Sequence, residues 1–488
     1  VDNNTEEKNA ELLLGQFFKN TIFENKIFSV GGFVRDEIMG LKSKDLDLVV
    51  SSDGGSEEVV HALKSQLTNS VTNPHNLGNG FPIWQITFTD NVHFNNTEWK
   101  VKGAILEFAD TQKESFPDQE SRQRITSFGT LEEDVLRRDF TCNMLMRNIT
   151  NGEILDLANG IEDIKNGILR SHPKADFDKI LSDDPLRMLR LVRFQAKFGW
   201  EIRWSDLEVV IRNRERIKII SAERINAELT KIMEMGKLDK AVWFMKRTGL
   251  LEIIFPEVHA MIGVFHDLKQ PFHKECKGEV FGHVMKVLSH AKPGVIPQMS
   301  ALLHDIGKPP TRAEDENGRI RFSKHEPVGA EMAEVVLRRI KFDTSTIKRI
   351  VKLVEMHTDP HAFGRNNVGV EPSIKAVRKL IRKAGDALED LLDLAEADCL
   401  GNEPLRNNVP DLRIRIKEVL EISPPIIAKP ILNGHEVMSI LNIKGGQIIG
   451  EIRKALIDLE DDFANDEKEL TKEIAEEFVR NFKQDGEG

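Results

Sequence analysis

Along the first 110 residues, apolar positions come in short stretches. IFSVGG (27–32), DLDLVV (45–50), IWQITF (83–88) and AILEFA (104–109) show period-two alternation or β-branching, so each predicts a strand. SEEVVHALKSQL (56–67) has the three- and four-residue spacing of an amphipathic helix. Residues 111–130 are polar and unperiodic and predict a long loop. From about residue 131 the period becomes helical in LEEDVLRRDFTCNMLM (131–146), DDPLRMLRLVRFQAKF (183–198) and SAERINAELTKIMEM (221–235). HDLKQPFHKECKGEV (266–280) reads as a linker before a second helical region, 281–400. Four prolines break the pattern over 405–430, and a last helical stretch ends in an acidic, frayed tail. The order is multidomain: an α/β head, then all-α regions.

Composition narrows the classes. With 488 residues, more than one domain is expected. No apolar run reaches the length of a membrane span and no signal peptide opens the chain, so a soluble cytoplasmic protein without a membrane partner is expected. Cys142, Cys276 and Cys399 lie far apart and form no disulfide framework. The net charge of −11 argues against indiscriminate coating of nucleic acid. It is unevenly spread: −9 over residues 1–120, +4 over 121–250 and −6 over 251–488, so a phosphate track would lie in the middle.

The strongest chemical signal is VGGFVRDEIMGLKSKDLDLVV (30–50). Asp45 and Asp47 at i and i+2 on a strand share a face, and Mg²⁺ favours a few carboxylates plus substrate phosphates. Gly31 and Gly32 follow a strand, where bare backbone can approach a triphosphate. Glu107 is the candidate third acid, with Asp110 its rival. The alternative for an isolated DxD is a solvated strand edge. Spaced nine residues after GG-x-x-RD, it is far more specific.

These residues resemble the class II tRNA nucleotidyltransferase and bacterial poly(A) polymerase family, within the polymerase-β superfamily. The resemblance extends through RRDFTCNML (137–145), DLANGIEDIKNGILR (156–170), DDPLRMLRLVRF (183–194) and SAERINAEL (221–229). LEFADTQKESF (106–116) resembles a further family stretch that makes Glu107 the third carboxylate. It implies a polymerase-β-like head with a helical neck and body, using Mg²⁺, CTP, ATP and tRNA. Arg35, Arg138 and Asp139 would bind the incoming nucleotide and Asn143 its ribose. Asp184 and Arg187, at i and i+3 of one helix, would read the base edge, an acceptor beside a donor. Arg190 and Arg193 would reach the triphosphate. Ser221 reads as a helix N-cap. One departure is Asp183 in place of the family's leading Glu. The poly(A) branch usually carries a Gly–basic–basic–Phe segment, and LGNGFPIWQITF (77–88) lacks the basic pair. That favours addition of C, C and A over poly(A) synthesis, which stays open.

The second half places histidines with spacing: His283, His304–Asp305, His325, His357, and then Asp398. Imidazole and carboxylate are metal ligands. His283, His304, Asp305 and Asp398 resemble the H…HD…D pattern of the HD phosphohydrolases, with His325 and His357 for a second ion, either Mg²⁺ or a divalent transition metal. The alternative is an inactive helical support. His266, His273, His290, His361 and His435 match no motif and are expected at the surface. The expected domains are a nucleotidyltransferase head (1–145), a helical neck and body (146–265), an HD-type domain (266–405) and a helical tail (406–488).

Overall fold

A computed structural model describes residues 6–43, 46–78, 81–115, 125–265, 278–365, 372–401, 407–422, 430–466 and 468–482. The chain divides into two compact units, Val1–Ile220 with Arg247–Leu250, and Ser221–Lys246 with Leu251–Gly488.

In the first unit the alternating segments join one sheet. Its strand order is Ile154–Leu155, Met146–Asn148, Ile27–Val30, Leu46–Val50, Ile105–Asp110, Ile83–Thr87, His75–Asn76. All four expected strands are in it. Leu46–Val50 and Ile105–Asp110 run parallel, so the chain must cross over between them. Helix Gly55–Gln66 lies on that crossover and packs against Ile83–Thr87 and Ile105–Asp110. Leu46, Leu48, Leu106 and Phe108 are buried. Asp47 and Glu107 occupy the alternate positions, so their side chains point to the other face.

The structure departs from the sequence pattern at three places besides the 183–198 segment. Residues 131–146 are not one helix. Helix Leu131–Leu136, with a Thr130–Glu133 capping box, gives way to a 3₁₀ turn, Thr141–Asn143, and to strand Met146–Asn148 beside Ile27–Val30. Phe140, Cys142, Met144, Leu145 and Met146 are all buried, so this segment is enclosed on every side and no single helical face could satisfy it. The sheet therefore runs past residue 145. Second, part of the expected loop at 111–130 is a hairpin, Gln112–Ser115 paired with Ile125–Phe128; residues 116–124 lie outside the described residues. Third, the proline-bearing stretch contains helix Val409–Ile422. Pro410 sits in its first turn, where a missing N–H costs nothing. The expected linker falls largely on residues 266–277, outside the described residues.

In the second unit, helices Val280–His290, Val295–Leu303, His325–Arg339, Thr344–Met356 and Leu388–Gly401 pack together. The terminal helices Gly434–Leu441, Gln447–Asn465 and Lys472–Arg480 enclose a small core of their own around Val437, Ile452, Leu456 and Val479.

Candidate functional site

In the first unit, Asp47 stands directly opposite Glu107 across the parallel pair. Gln85 stands opposite Glu107 on the other side and donates from Nε2 to Glu107 Oε1 at 2.9 Å. Neighbouring strands are about 4.8 Å apart, so the two carboxylates lie side by side. An all-oxygen donor set of this kind suits Mg²⁺. Asp45 lies outside the described residues. Asp110, the rival to Glu107, is buried and accepts backbone N–H bonds from Gly54 and Ser56, each at 2.7 Å. It fastens the start of helix Gly55–Gln66 and is committed there.

The register Ser29↔Leu48 brings Gly31 and Gly32 to the end of the sheet where Asp47 stands. Gly31 has φ +69°, a left-handed conformation that favours glycine, and a Cβ there would lie 3.6 Å from Arg138 Nη1. Arg138 does not pair with its neighbour Asp139. It donates to Asp134 Oδ2, while Asp139 Oδ2 accepts from Arg190 Nε at 2.7 Å. Asn143 donates to Asp139 at 3.0 Å and accepts a short hydrogen bond from Arg35. Any ribose contact by Asn143 must use the N–H that Asp139 does not take. Burial alone would raise the Asp139 carboxyl. The Arg190 charge and the Asn143 hydrogen bond outweigh it and hold the group at about 2. The Arg35 guanidinium lies 5.2 Å from the ring centroids of both Phe194 and Phe198, and that of Arg193 lies 4.4 Å from Phe194. Arg187, Arg190 and Arg193 thus face the same network from helix Leu186–Phe198.

Asp184 and Arg187 are not on one helix face, contrary to expectation. Helix Phe177–Asp183 ends at Asp184, and Pro185 opens the next helix. Pro185 has no N–H, so the ladder breaks there. The Asp184 backbone carbonyl accepts from Arg187 N at 3.1 Å instead, and Asp184 Oδ1 accepts from Leu186 N at 3.3 Å. The pair stays adjacent through a turn.

In the second unit the expected histidines converge. His304 Nε2 lies 3.2 Å from both His283 Nε2 and Asp305 Oδ2. His283 Nε2 lies 3.1 Å from Asp398 Oδ1. On the other side of Asp305, His325 and His357 place Nε2 3.5 and 3.6 Å from Oδ1. Two groups that suit an ion, His283–His304–Asp305 and Asp305–His325–His357, therefore share one carboxylate. His304, His325 and His357 each direct Nδ1 at a backbone carbonyl, of Ala301, Phe322 and Val354. Those bonds fix the tautomer and leave the Nε2 lone pairs pointing inward. Among the described residues, Asp305 Oδ1 is buried without a hydrogen-bond partner, as a metal ligand would be. The donor set fits divalent cations. In the cation-free protein burial raises the Asp305 carboxyl, yet a protonated His304 and the Lys308 ammonium hold it well below the usual range. Gly307 makes the assembly fit: a Cβ there would lie 2.1 Å from the His325 carbonyl oxygen and 2.6 Å from Gly329 N.

Three family models match the chain in order. The poly(A) polymerase head domain covers residues 27–170, the RNA and SrmB binding site of polymerase A covers 207–262, and the HD domain covers 280–400. The chain belongs to the class II tRNA nucleotidyltransferase and poly(A) polymerase family, with an HD domain. Its relatives include a CC-adding tRNA nucleotidyltransferase of Thermus thermophilus, 28% identical over 88% of each chain. An A-adding enzyme of Deinococcus radiodurans is 26% identical over 88% of this chain and 89% of its own. A multifunctional CCA protein of Nitrosomonas europaea is 29% identical over 69% of this chain and 74% of its own. The fold is similar to that of the Bacillus stearothermophilus CCA-adding enzyme in complex with CTP, with a TM-score of 0.63, 18% identity and coverage of 97% and 96%. No helix among the described residues is long and apolar enough to cross a membrane.

Within this nucleotidyltransferase, sequence reasoning missed four residues at the two sites. Gln85 supports Glu107, and Asp134 gathers Arg137 and Arg138. Lys308 Nζ lies 2.6 Å from Asp305 Oδ2. His361, expected at the surface, is buried with Nε2 2.7 Å from Asp398 Oδ2. Burial pushes its pKa down, but Asp398 and Cys399 bring it up to about 9. Its position four residues after His357 was the available signal. His290 and His435 are exposed as expected; His266 and His273 lie outside the described residues.

Proposed function

We propose that this nucleotidyltransferase adds C, C and A to the 3′ end of tRNA, taking CTP and ATP without a nucleic-acid template. The observation that carries this reading is the opposed Asp47–Glu107 pair at the sheet end that also bears Gly31 and the Arg35–Asn143–Asp139–Arg190 network. The RNA 3′-hydroxyl attacks the α-phosphate of the incoming nucleotide, and pyrophosphate leaves. Asp47, Glu107 and Asp45 would hold Mg²⁺, which would supply positive charge for phosphoryl transfer. Arg35, Arg138, Arg190 and Arg193 bind the phosphates through charge-assisted bonds. Asp184 and Arg187 read the base edge from the turn around Pro185.

A second reading, partial addition of CC or of A alone, is favoured by a specific observation. Of the three relatives named above, the CC-adding and the A-adding enzyme match over the greater share of both lengths. One experiment separates the readings. The protein is incubated with tRNA ending before the CCA, after one C and after two C, with CTP, ATP or both. Full CCA addition needs both nucleotides and ends after one A. A CC-adding enzyme is indifferent to ATP, an A-adding enzyme extends the CC end alone, and a poly(A) polymerase runs on with ATP.

For the HD domain we infer divalent cations held by His283, His304, Asp305 and Asp398 and by Asp305, His325 and His357. Its reaction is hydrolysis of a phosphoester at an RNA end, such as a 2′,3′-cyclic or terminal phosphate. That chemistry fits beside a polymerase, because a blocked end has no hydroxyl with which to attack.

A further inference from the structure

His361 follows no expected spacing, yet it is buried inside the HD domain. Its two ring nitrogens face different partners: Nε2 lies 2.7 Å from Asp398 Oδ2, and Nδ1 lies 3.6 Å from Cys399 Sγ. Asp398 is thereby held from two sides. Oδ2 meets His361 Nε2 as a close ion pair rather than an aligned hydrogen bond, while Oδ1 lies 3.1 Å from His283 Nε2; among the described residues neither His361 Nε2 nor Asp398 Oδ1 has a hydrogen-bond partner. A carboxylate on a helix rotates about its side-chain torsions unless one oxygen is fixed. With Oδ2 occupied, Oδ1 is left aimed at the His283–His304–Asp305 group. Nothing equivalent reaches the Asp305–His325–His357 group from His361: its Nε2 contact is to Asp398 alone among the acids of the two groups.

We propose that His361 is a positioning residue that fixes Asp398 as a ligand of the first cation group, so that the two groups differ in their dependence on it. The inference rests on the reading of this cluster as a metal centre. Groups that orient a ligand without touching the metal typically change affinity about 10–100-fold when lost. His361→Asn keeps an amide where Nδ1 stands and falls short of Asp398. His361→Gln reaches Asp398 with its own N–H. The two substitutions therefore separate the Asp398 contact from mere filling of the space.

The test is a Mn²⁺ titration of the full chain, with free Mn²⁺ read by electron paramagnetic resonance. Ions of the HD domain are counted as the excess over an Asp305→Ala chain, which removes the head and adventitious sites from the count. His361→Asn is expected to weaken one class of site about 10–100-fold and leave the other unchanged, while His361→Gln recovers most of the loss. His361→Leu serves as a second loss variant if the Asn chain does not fold, with melting in EDTA as the check. Equal loss at both classes, no loss at either, or Gln behaving like Asn overturns the positioning role. A wild-type chain with no excess over Asp305→Ala overturns the metal reading itself, and the inference with it.

Discussion

Asp47 and Glu107 stand opposite each other on neighbouring parallel strands, although sixty residues of chain separate them. Parallel pairing puts residues in register with the same facing, so each carboxylate points to the side away from Leu46, Leu48, Leu106 and Phe108. That arrangement makes separate predictions for acids that look alike in sequence. Asp47→Ala and Glu107→Ala, and Asp45→Ala with them, should cut nucleotide addition on the order of 10³-fold with Mg²⁺. Fold and tRNA affinity should stay near wild type. Asp110→Ala should instead leave turnover in place and cost the head about 1–2 kcal/mol, because it strips two backbone N–H groups of their acceptor. Incorporation of labelled CMP and AMP, with thermal melting of each variant, checks the contrast.

The facing of Asp47 and of Glu107 on their strands was legible because period two is local, whereas Asp45 lies outside the described residues. What failed was also local, but ruled by enclosure or backbone chemistry. RRDFTCNML has helical spacing, yet Phe140, Cys142, Met144 and Leu145 are buried on all sides and the chain turns into the sheet. Asp184 and Arg187 have i,i+3 spacing, but Pro185 between them cannot donate. The histidines and acids that converge in the HD domain were singled out by spacing and type. His361 was not, since it lies in a turn between helices and its partner Asp398 lies far along the chain on helix Leu388–Gly401. The choice between Glu107 and Asp110 needed the location of the Gly54 and Ser56 amides.

The turn at Pro185 bears on base choice. Arg187→Ala removes a guanidinium that faces the nucleotide network while leaving the Asp184 carbonyl bond to the backbone of residue 187 intact. A site built to hydrogen-bond a base edge rejects the wrong edge by leaving buried groups unpaired. The variant should therefore lose preference for C and A over U and G by more than it loses overall rate. Single-turnover incorporation of each of the four nucleotides measures this. Equal slowing of all four would make the pair scaffolding.

Asp139 supplies a pH dependence of stability. Its folded-state pKa of about 2 lies below the ordinary aspartate value of about 3.9. For a depressed carboxyl the contribution is present above the unfolded value and is lost as pH falls through the folded one. The difference corresponds to about 3 kcal/mol, lost progressively as pH falls from about 5 through the folded value. Asp139→Asn should be less stable near neutrality, because Arg190 loses its charged partner. Its stability should also fall less steeply than wild type between about pH 5 and about pH 2. Denaturant unfolding across that range gives both slopes.

Asp305 is the residue on which both cation groups depend. Its Oδ2 faces His304, and its Oδ1 faces His325 and His357. Asp305→Ala should therefore remove both ions at once, whereas His325→Ala should remove only the ion of the second group. Asp47, Glu107, Asp139 and Arg190, to which nucleotidyl transfer is assigned by proposal, belong to the other compact unit. Nucleotide addition to tRNA should accordingly survive Asp305→Ala at close to the wild-type rate. Metal content after dialysis, addition to tRNA ending before its CCA, and release of phosphate from a 3′-phosphorylated RNA end or ring opening of a 2′,3′-cyclic one are the three readouts. Loss of metal and hydrolysis with addition retained supports two independent chemistries in one chain. Unchanged metal content refutes the site. Metal lost without any hydrolysis by the wild type on these or other phosphoesters reduces the cluster to a structural centre, since filled coordination spheres leave no position at which a water can be activated.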